Sequence, residues 1–206
     1  MIRVYAFALR LDRLPDVSGV GGARLAAHRL GDLSAVVSVE SAAPAGDPRQ
    51  DAVLHGLVVE ALMECASAVL PVRFGETFAD DVSLDGAIAE RIEELRLALE
   101  RVRDCVEVGV RLAVPEALAP VAPAANGTGY MRGRLESLAG PAQLHEDLEA
   151  LTRASVGSAG GERCYLVERS QVGAVEACVR RFAASHPEAS VVCTGPWAPY
   201  SFGGGW

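Results

Sequence analysis

Catalysis needs a nucleophile, a base or a metal held by its neighbours, so the four histidines are the first residues to weigh. His28, His55, His145 and His186 form no HExxH pair and no other close pair of ligands. The nearest approach is the HEDLE run, 145–149, on a predicted amphipathic helix that turns Leu144 and Leu148 inward. Its charged side chains read as a solvated face, the ordinary place for Glu and Asp. His186 precedes Pro187 at a helix end, where an imidazole complements the helix dipole. His28 lies in a hairpin strand and His55 in an early helical turn, and neither has a partner visible in sequence. GVGG at 19–22 lacks the third glycine and the βαβ unit of a dinucleotide site, so it reads as turn glycines. GSAGG at 157–161 lacks the G-x-S-x-G pattern around Ser158 and reads as a linker. There is no phosphate-binding loop. The cysteines (65, 105, 164, 178, 193) never form CxxC and read as reduced core thiols. The sequence thus assigns no catalytic residue, no cofactor and no metal.

Two other stretches resist a bland reading. In LPVRFGETF, 70–78, Arg73 and Glu76 stand among Val72, Phe74 and Phe78. One reading is an Arg73–Glu76 ion pair pinning a sheet edge. The other is a recognition patch that joins a planar cation to exposed rings, as interface hot spots do. The second stretch is the end of the chain, GPWAPYSFGGGW, which packs Trp197, Tyr200, Phe202 and Trp206 into the last ten positions. Pro196 and Pro199 favour extended backbone there and lower the cost of ordering it. Rings of this size need cover, so the segment is expected to fold back on the body, its rings in a groove across both domains, the alternative being that it stays available to a partner.

Composition narrows the partners. Of 206 residues, half are hydrophobic and 22% are charged, enough apolar content for one large domain or two smaller ones. The 19 basic residues are all arginine and the net charge is −8, which argues against a nucleic-acid binder and against an anionic membrane surface. No run approaches 18 apolar residues, and Arg10, Asp12 and Arg13 break up any leader-like segment at the start. A cytoplasmic protein, a monomer when isolated, is the expectation.

The elements that would hold these residues follow from the pattern. IRVYAFAL, 2–9, reads as a buried strand. Apolar runs flanking Gly31-Asp32 read as a hairpin. Asp47-Pro48 starts a helix whose inward face runs from Leu54 to Val69, stopped by Pro71. Residues 71–78 read as a short strand or extended turn. A second helix starts near Ser83 and reaches Val102. Strands are predicted at 104–114, 163–169 and 189–195, with a loop at 115–129 and helices over 130–155 and from a Ser170 cap to Ser185. The second half therefore reads β-α-β-α-β. The predicted class is α+β in two domains: 1–103, then a ferredoxin-like domain at 104–195, with 196–206 as a docked C-terminal tail.

LPVRFGETF and TGPWAPYSF (194–202) resemble the gas vesicle protein F/L family. VYAFAL, CYLVER and GYMRGRLESL (129–138) are similar to the same pattern, with Met131 where a leucine is more usual. Ala198-Pro199 stands where the family more often has two prolines, and a lysine common near the start of the second half is missing. The resemblance spans essentially the whole chain. It implies a two-domain α+β protein with a ferredoxin-like second domain and no catalytic activity. It also implies an accessory role in gas vesicle formation, with the hydrophobic shell protein (GvpA type) and other accessory proteins as partners. Arg73, Phe74, Glu76, Phe78, Trp197, Tyr200 and Phe202 are the candidate structural or partner-binding residues. The rival expectation is a small-molecule enzyme or sensor, which would need a titratable cluster in a deep pocket.

Overall fold

A strand buried on both faces reads as an unbroken apolar run, and β1 (Ile2–Leu9) is such a run with every residue buried. The computed structural model describes residues 1–39, 46–113, 142–157 and 162–204. Ser158, the loop expected at 115–129, the GYMRGRLESL segment and Trp206 lie outside them. The chain divides into two compact units, Met1–Cys105 with Trp197–Trp206, and Val106–Pro196.

In the first unit β1 lies between antiparallel neighbours. Strands β2 (Leu25–Leu30) and β3 (Leu33–Val39) form the hairpin predicted around Gly31, whose φ of 70° suits glycine. Strands β4 (Ala68–Pro71) and β5 (Thr77–Phe78) also pair with β1, and the sheet order is β2-β3-β1-β4 with β5 beside β1. The first helix, α1 (Pro48–Met63), starts as predicted, with Asp47 accepting from the Arg49 amide. It stops earlier than the pattern suggested. Residues 68–71 belong to β4, because Ala68–Pro71 pairs with the free side of β1 and a ladder outweighs one more helical turn. Leu57, expected on the inward face, is exposed.

The helix predicted from Ser83 is two helices, α2 (Asp81–Glu90) and α3 (Ile92–Arg101). Asp80 and Ser83 close a reciprocal cap at the start of α2, and Arg91, at φ −123°, is the break. The apolar positions Leu84, Ile88, Leu95, Leu99 and Val102 stay buried across the break, while Ile92, next to it, is half-buried.

The second unit holds a four-stranded sheet in the order β7-β8-β6-β9: β6 (Cys105–Ala113), β7 (Ala154–Gly157), β8 (Glu162–Glu168) and β9 (Ser190–Trp197). Helix α4 occupies 142–149 and α5 is Val172–Ser185. The predicted 130–155 helix ends short of its expected limit. Ala154–Gly157 turns out to be a strand, in antiparallel register with β8 from Ala154↔Leu166 to Gly157↔Arg163. Four residues between short helical and glycine signals are too few to show a period, and only pairing with β8 makes them a strand. Among the described residues the order of this half is thus β-α-β-β-α-β. A 3-10 turn, Arg169–Gln171, leads into α5 in place of the expected Ser170 side-chain cap. The inward positions Leu144, Leu148, Val175, Val179 and Phe182 are buried as the spacing predicted. At Gly109 on β6 an added Cβ would lie 2.6 Å from both the Glu162 carboxylate and the Thr194 hydroxyl, so a side chain there would displace these β8 and β9 groups.

One irregularity organises the first unit. The β1–β3 register shifts between Val4 and Ala6, a bulge at Tyr5. The Tyr5 hydroxyl accepts from the Val20 amide at 2.9 Å and meets Ser38 Oγ at 3.0 Å, all buried. Tyr5→Phe is expected to leave a buried amide unmet and to lower unfolding free energy by about 1–3 kcal/mol, measured by denaturant titration.

Candidate functional site

The motif residues 70–78 fold as the end of β4, a turn and β5. Backbone bonds anchor the turn on β1: the Val72 amide donates to the Tyr5 carbonyl at 3.0 Å and the Val4 amide to the Glu76 carbonyl at 3.2 Å. Gly75, at φ 107°, takes a backbone that a side chain would strain. Arg73 and Glu76 are joined through the backbone, Glu76 amide to Arg73 carbonyl, and both side chains are exposed. Among the described residues their side chains form no ion pair, so the pinning pair expected from sequence is replaced by a turn. Phe78 is half-buried and pairs with Ile2 across β5–β1.

The arginine that matters at this place is Arg3, which the sequence did not single out. It is buried, and its guanidinium carbon stands 5.1 Å from the Phe74 ring centroid. Phe74 also meets His55 edge-on at 5.7 Å, while Tyr5 stacks on His55 at 5.0 Å. Phe74 covers these groups and still leaves 38% of its own surface in solvent. His55 Nε2–H donates to the Val72 carbonyl at 2.9 Å, so Nδ1 carries the bare lone pair and has no partner among the described residues. Burial first, and the nearby Arg3 charge as well, hold its pKa below the usual histidine value, with the Val72 bond opposing.

The tail shares this unit. Ala198 and Phe202 are buried, and Tyr200–Phe202 forms a 3-10 turn. The Arg101 guanidinium lies 5.8 Å from the Phe202 centroid, and Arg91 donates to the Gly204 carbonyl at 3.3 Å. Gly203 lies against Leu70 and the Pro71 carbonyl. Trp197 and Tyr200 do not bury as expected and stay 49% and 45% exposed. The prolines and the tight turn set one ring inward and leave the other two outward. The Tyr200 phenol has its pKa pushed up to about 12, by desolvation first and by Glu60 of α1 second.

His28, His145 and Tyr165 tie elements of the fold together. His28 on β2 meets Asp85 at 2.6 Å and Asp81 at 3.6 Å, a clamp on α2 that strand-to-helix packing creates and sequence spacing conceals. His145 is more than part of a solvated face: the buried Tyr165 hydroxyl bonds its Nδ1, and Glu149 accepts from Ser155 and Arg163. Tyr165 is sealed from solvent, and burial pushes its pKa up to about 12, so it acts as a donor that orients His145. A groove of about 420 Å³ runs between α4 and α5 past Asp147, Cys178, Arg181 and His186. Among the described residues no three His, Cys, Asp or Glu side chains gather as a metal site, and no helix is long and apolar enough to cross a membrane.

Both aromatic segments thus sit on the same unit as α1, with Phe74, Trp197 and Tyr200 partly in solvent. The profile of the family described as gas vesicle synthesis protein GvpL/GvpF matches residues 3–203. The chain belongs to the GvpL/GvpF family. Gas vesicle protein F2 of Halobacterium salinarum is 31% identical over 204 residues, covering 91% of this chain and 84% of that protein. Gas vesicle protein L of a Streptomyces species is 31% identical over 250 residues, covering 98% and 92%. Two crystal structures share the fold at 15% identity. GvpF from Anabaena superposes with a TM-score of 0.79, covering 98% of this chain and 95% of that one. GvpF from Microcystis aeruginosa gives 0.76 with 98% of each. For this GvpL/GvpF protein a gas vesicle-related role follows from membership.

Phe202→Ala is expected to cost about 3–5 kcal/mol of stability, as buried Phe truncations do, whereas Trp197→Ala and Tyr200→Ala cost under about 1 kcal/mol. Thermal unfolding of the three variants measures the contrast. The His55 pKa is depressed in the fold, so the unfolded chain takes up more protons as pH falls below about 6.5. Stability is therefore full above that value and declines as pH drops toward the folded pKa. His145, also depressed chiefly by burial, adds in the same direction. The loss between about pH 7.5 and about pH 5 should be smaller in His55→Gln than in the parent, read by denaturant midpoints.

Proposed function

We propose that the chain acts without catalysis as an accessory protein of gas vesicle assembly, binding the hydrophobic shell protein of the GvpA type together with other accessory proteins. The observation that carries this reading is the exposure of Phe74, Trp197 and Tyr200 in the two motif segments, on a body of net charge −8. An acidic body keeps the chain dispersed while exposed rings offer contact to an apolar client. A shell protein with long apolar surfaces aggregates unless it is covered before assembly. The two compact units are read as two domains. The second, with β-α-β-β-α-β order and strand order β7-β8-β6-β9, is read as ferredoxin-like. Phe202 anchors the tail, and the two exposed tail rings remain for the partner. The isolated protein is monomeric and works in the cytoplasm at the growing vesicle.

The titratable groups favour this reading over a small-molecule enzyme, since Tyr165 is sealed and His55 is covered by Phe74 and Tyr5. Co-expressed with a GvpA-type shell protein, the full chain is expected to retain it through washing at roughly 0.5 M salt, which screens exposed charge pairs far more than apolar contact. Phe74→Asp and Trp197→Asp should weaken that retention. Release of the shell protein by salt alone would overturn the apolar mode of binding.

A further inference from the structure

Sheet edges carry unpaired backbone groups, and folded proteins blunt them with short length, charge, proline or cover. Three of the edges found among the described residues are managed in this way. Strand β2 carries Arg29 and the His28 held by Asp81 and Asp85. Strand β4 is four residues long, ends in Pro71 and is wholly buried. Strand β7 is four residues long.

Strand β9 uses none of these devices over most of its length. It runs for eight residues, SVVCTGPW, with no charge and with proline only next to its end. None of its residues is buried, and Val192 is 49% exposed. Its inner neighbour is β6, and among the described residues no strand lies beyond it. The nearby α5 carboxylate, Glu176, which acts on Cys193, is already paired with Arg180 at 3.6 Å. The rim therefore presents a neutral, β-branched surface with a row of donors and acceptors, and the group that satisfies all three properties is another extended, uncharged strand.

Area decides between occupants. An eight-residue edge is about 26 Å long, and a strip of that length and about 10 Å height on each partner buries roughly 500 Å² in total. A stable dimer needs about 1,200–2,000 Å², so edge pairing does not hold two copies of this chain together unaided. The same small area suits a client that must be gripped and then handed on. We propose that β9 takes up, as a fifth strand of its sheet, an extended uncharged segment of the hydrophobic partner protein. This deepens the assembly reading above and rests on it for the partner's identity.

The test uses the full chain, Val192→Lys to place a charge on the rim, and Val192→Thr as a neutral β-branched control. A second rim variant, Cys193→Lys, covers the case in which Val192→Lys lowers the melting temperature. Two measurements are made: capture of a co-expressed GvpA-type shell protein, and amide hydrogen exchange across 190–197 with a short capped peptide of alternating Val and Thr. The parent and Val192→Thr are expected to capture the shell protein and to show slowed exchange in β9 with the peptide, while the lysine variants lose about tenfold in both. Equal capture by the lysine variants overturns the assignment to β9 and leaves the assembly reading intact. Peptide protection without shell-protein capture by the parent overturns the assembly reading and leaves the strand-binding edge. Absence of peptide protection in the parent overturns the proposal. So does a mass that doubles with concentration and reverts in Val192→Lys, because the occupant is then a second copy.

Discussion

The first unit depends on one phenol set into a bulge. Tyr5 is the residue at which β1 and β3 change register, and its hydroxyl reaches the Val20 amide and Ser38 on β3. Its ring stacks on His55 of α1, and His55 in turn donates to the Val72 carbonyl, while the Val72 amide donates back to the Tyr5 carbonyl. Strand, hairpin, helix and motif turn are thus tied through a single side chain. The arrangement requires a neutral imidazole. Adding a proton to Nδ1 would bury a second charge near Arg3 and a donor without an acceptor. Phe74 roofs this cluster, which explains why a ring sits half in solvent at that point: it shields Arg3 and His55 on one side and faces outward on the other.

In the second unit the sheet centre is closely approached by side chains from both neighbouring strands. Gly109 leaves room for Glu162 and Thr194, whose hydroxyl donates to the Gly109 carbonyl at 3.4 Å. On the helix side, His145 and Glu149 use their polar atoms on Tyr165, Ser155 and Arg163, so the most reactive-looking residues of this half are occupied in joining α4 to the β7–β8 hairpin.

Part of what the molecule offers to the outside is apolar. Phe74, Trp197 and Tyr200 stand in solvent, and β9 ends its sheet without the charges that protect β2. Rings and an open edge recognise different things, side-chain surface and extended backbone. In the proposed assembly role, an extended apolar client would meet both. A net charge of −8 opposes self-association through such features.

Local pattern was enough to reveal β1, the β2–β3 hairpin with its turn at Gly31, β6, β8 and β9, the start of α1 and the inward faces of α3, α4 and α5, because each rests on periodicity or capping within a few residues. The two motif segments were also visible, through aromatic residues crowded beside proline and glycine. Tertiary structure alone decided the rest. Ala68–Pro71 became a strand because β1 had a free side, and Ala154–Gly157 became one because β8 lay opposite. His28 found its carboxylates 53 and 57 residues away, Arg3 became the buried cation in place of Arg73, and of the tail rings Phe202 turned inward while Trp197 and Tyr200 turned out. Those outcomes depend on which surfaces meet after the chain collapses, and no spacing along the chain encodes a meeting between residues that distant.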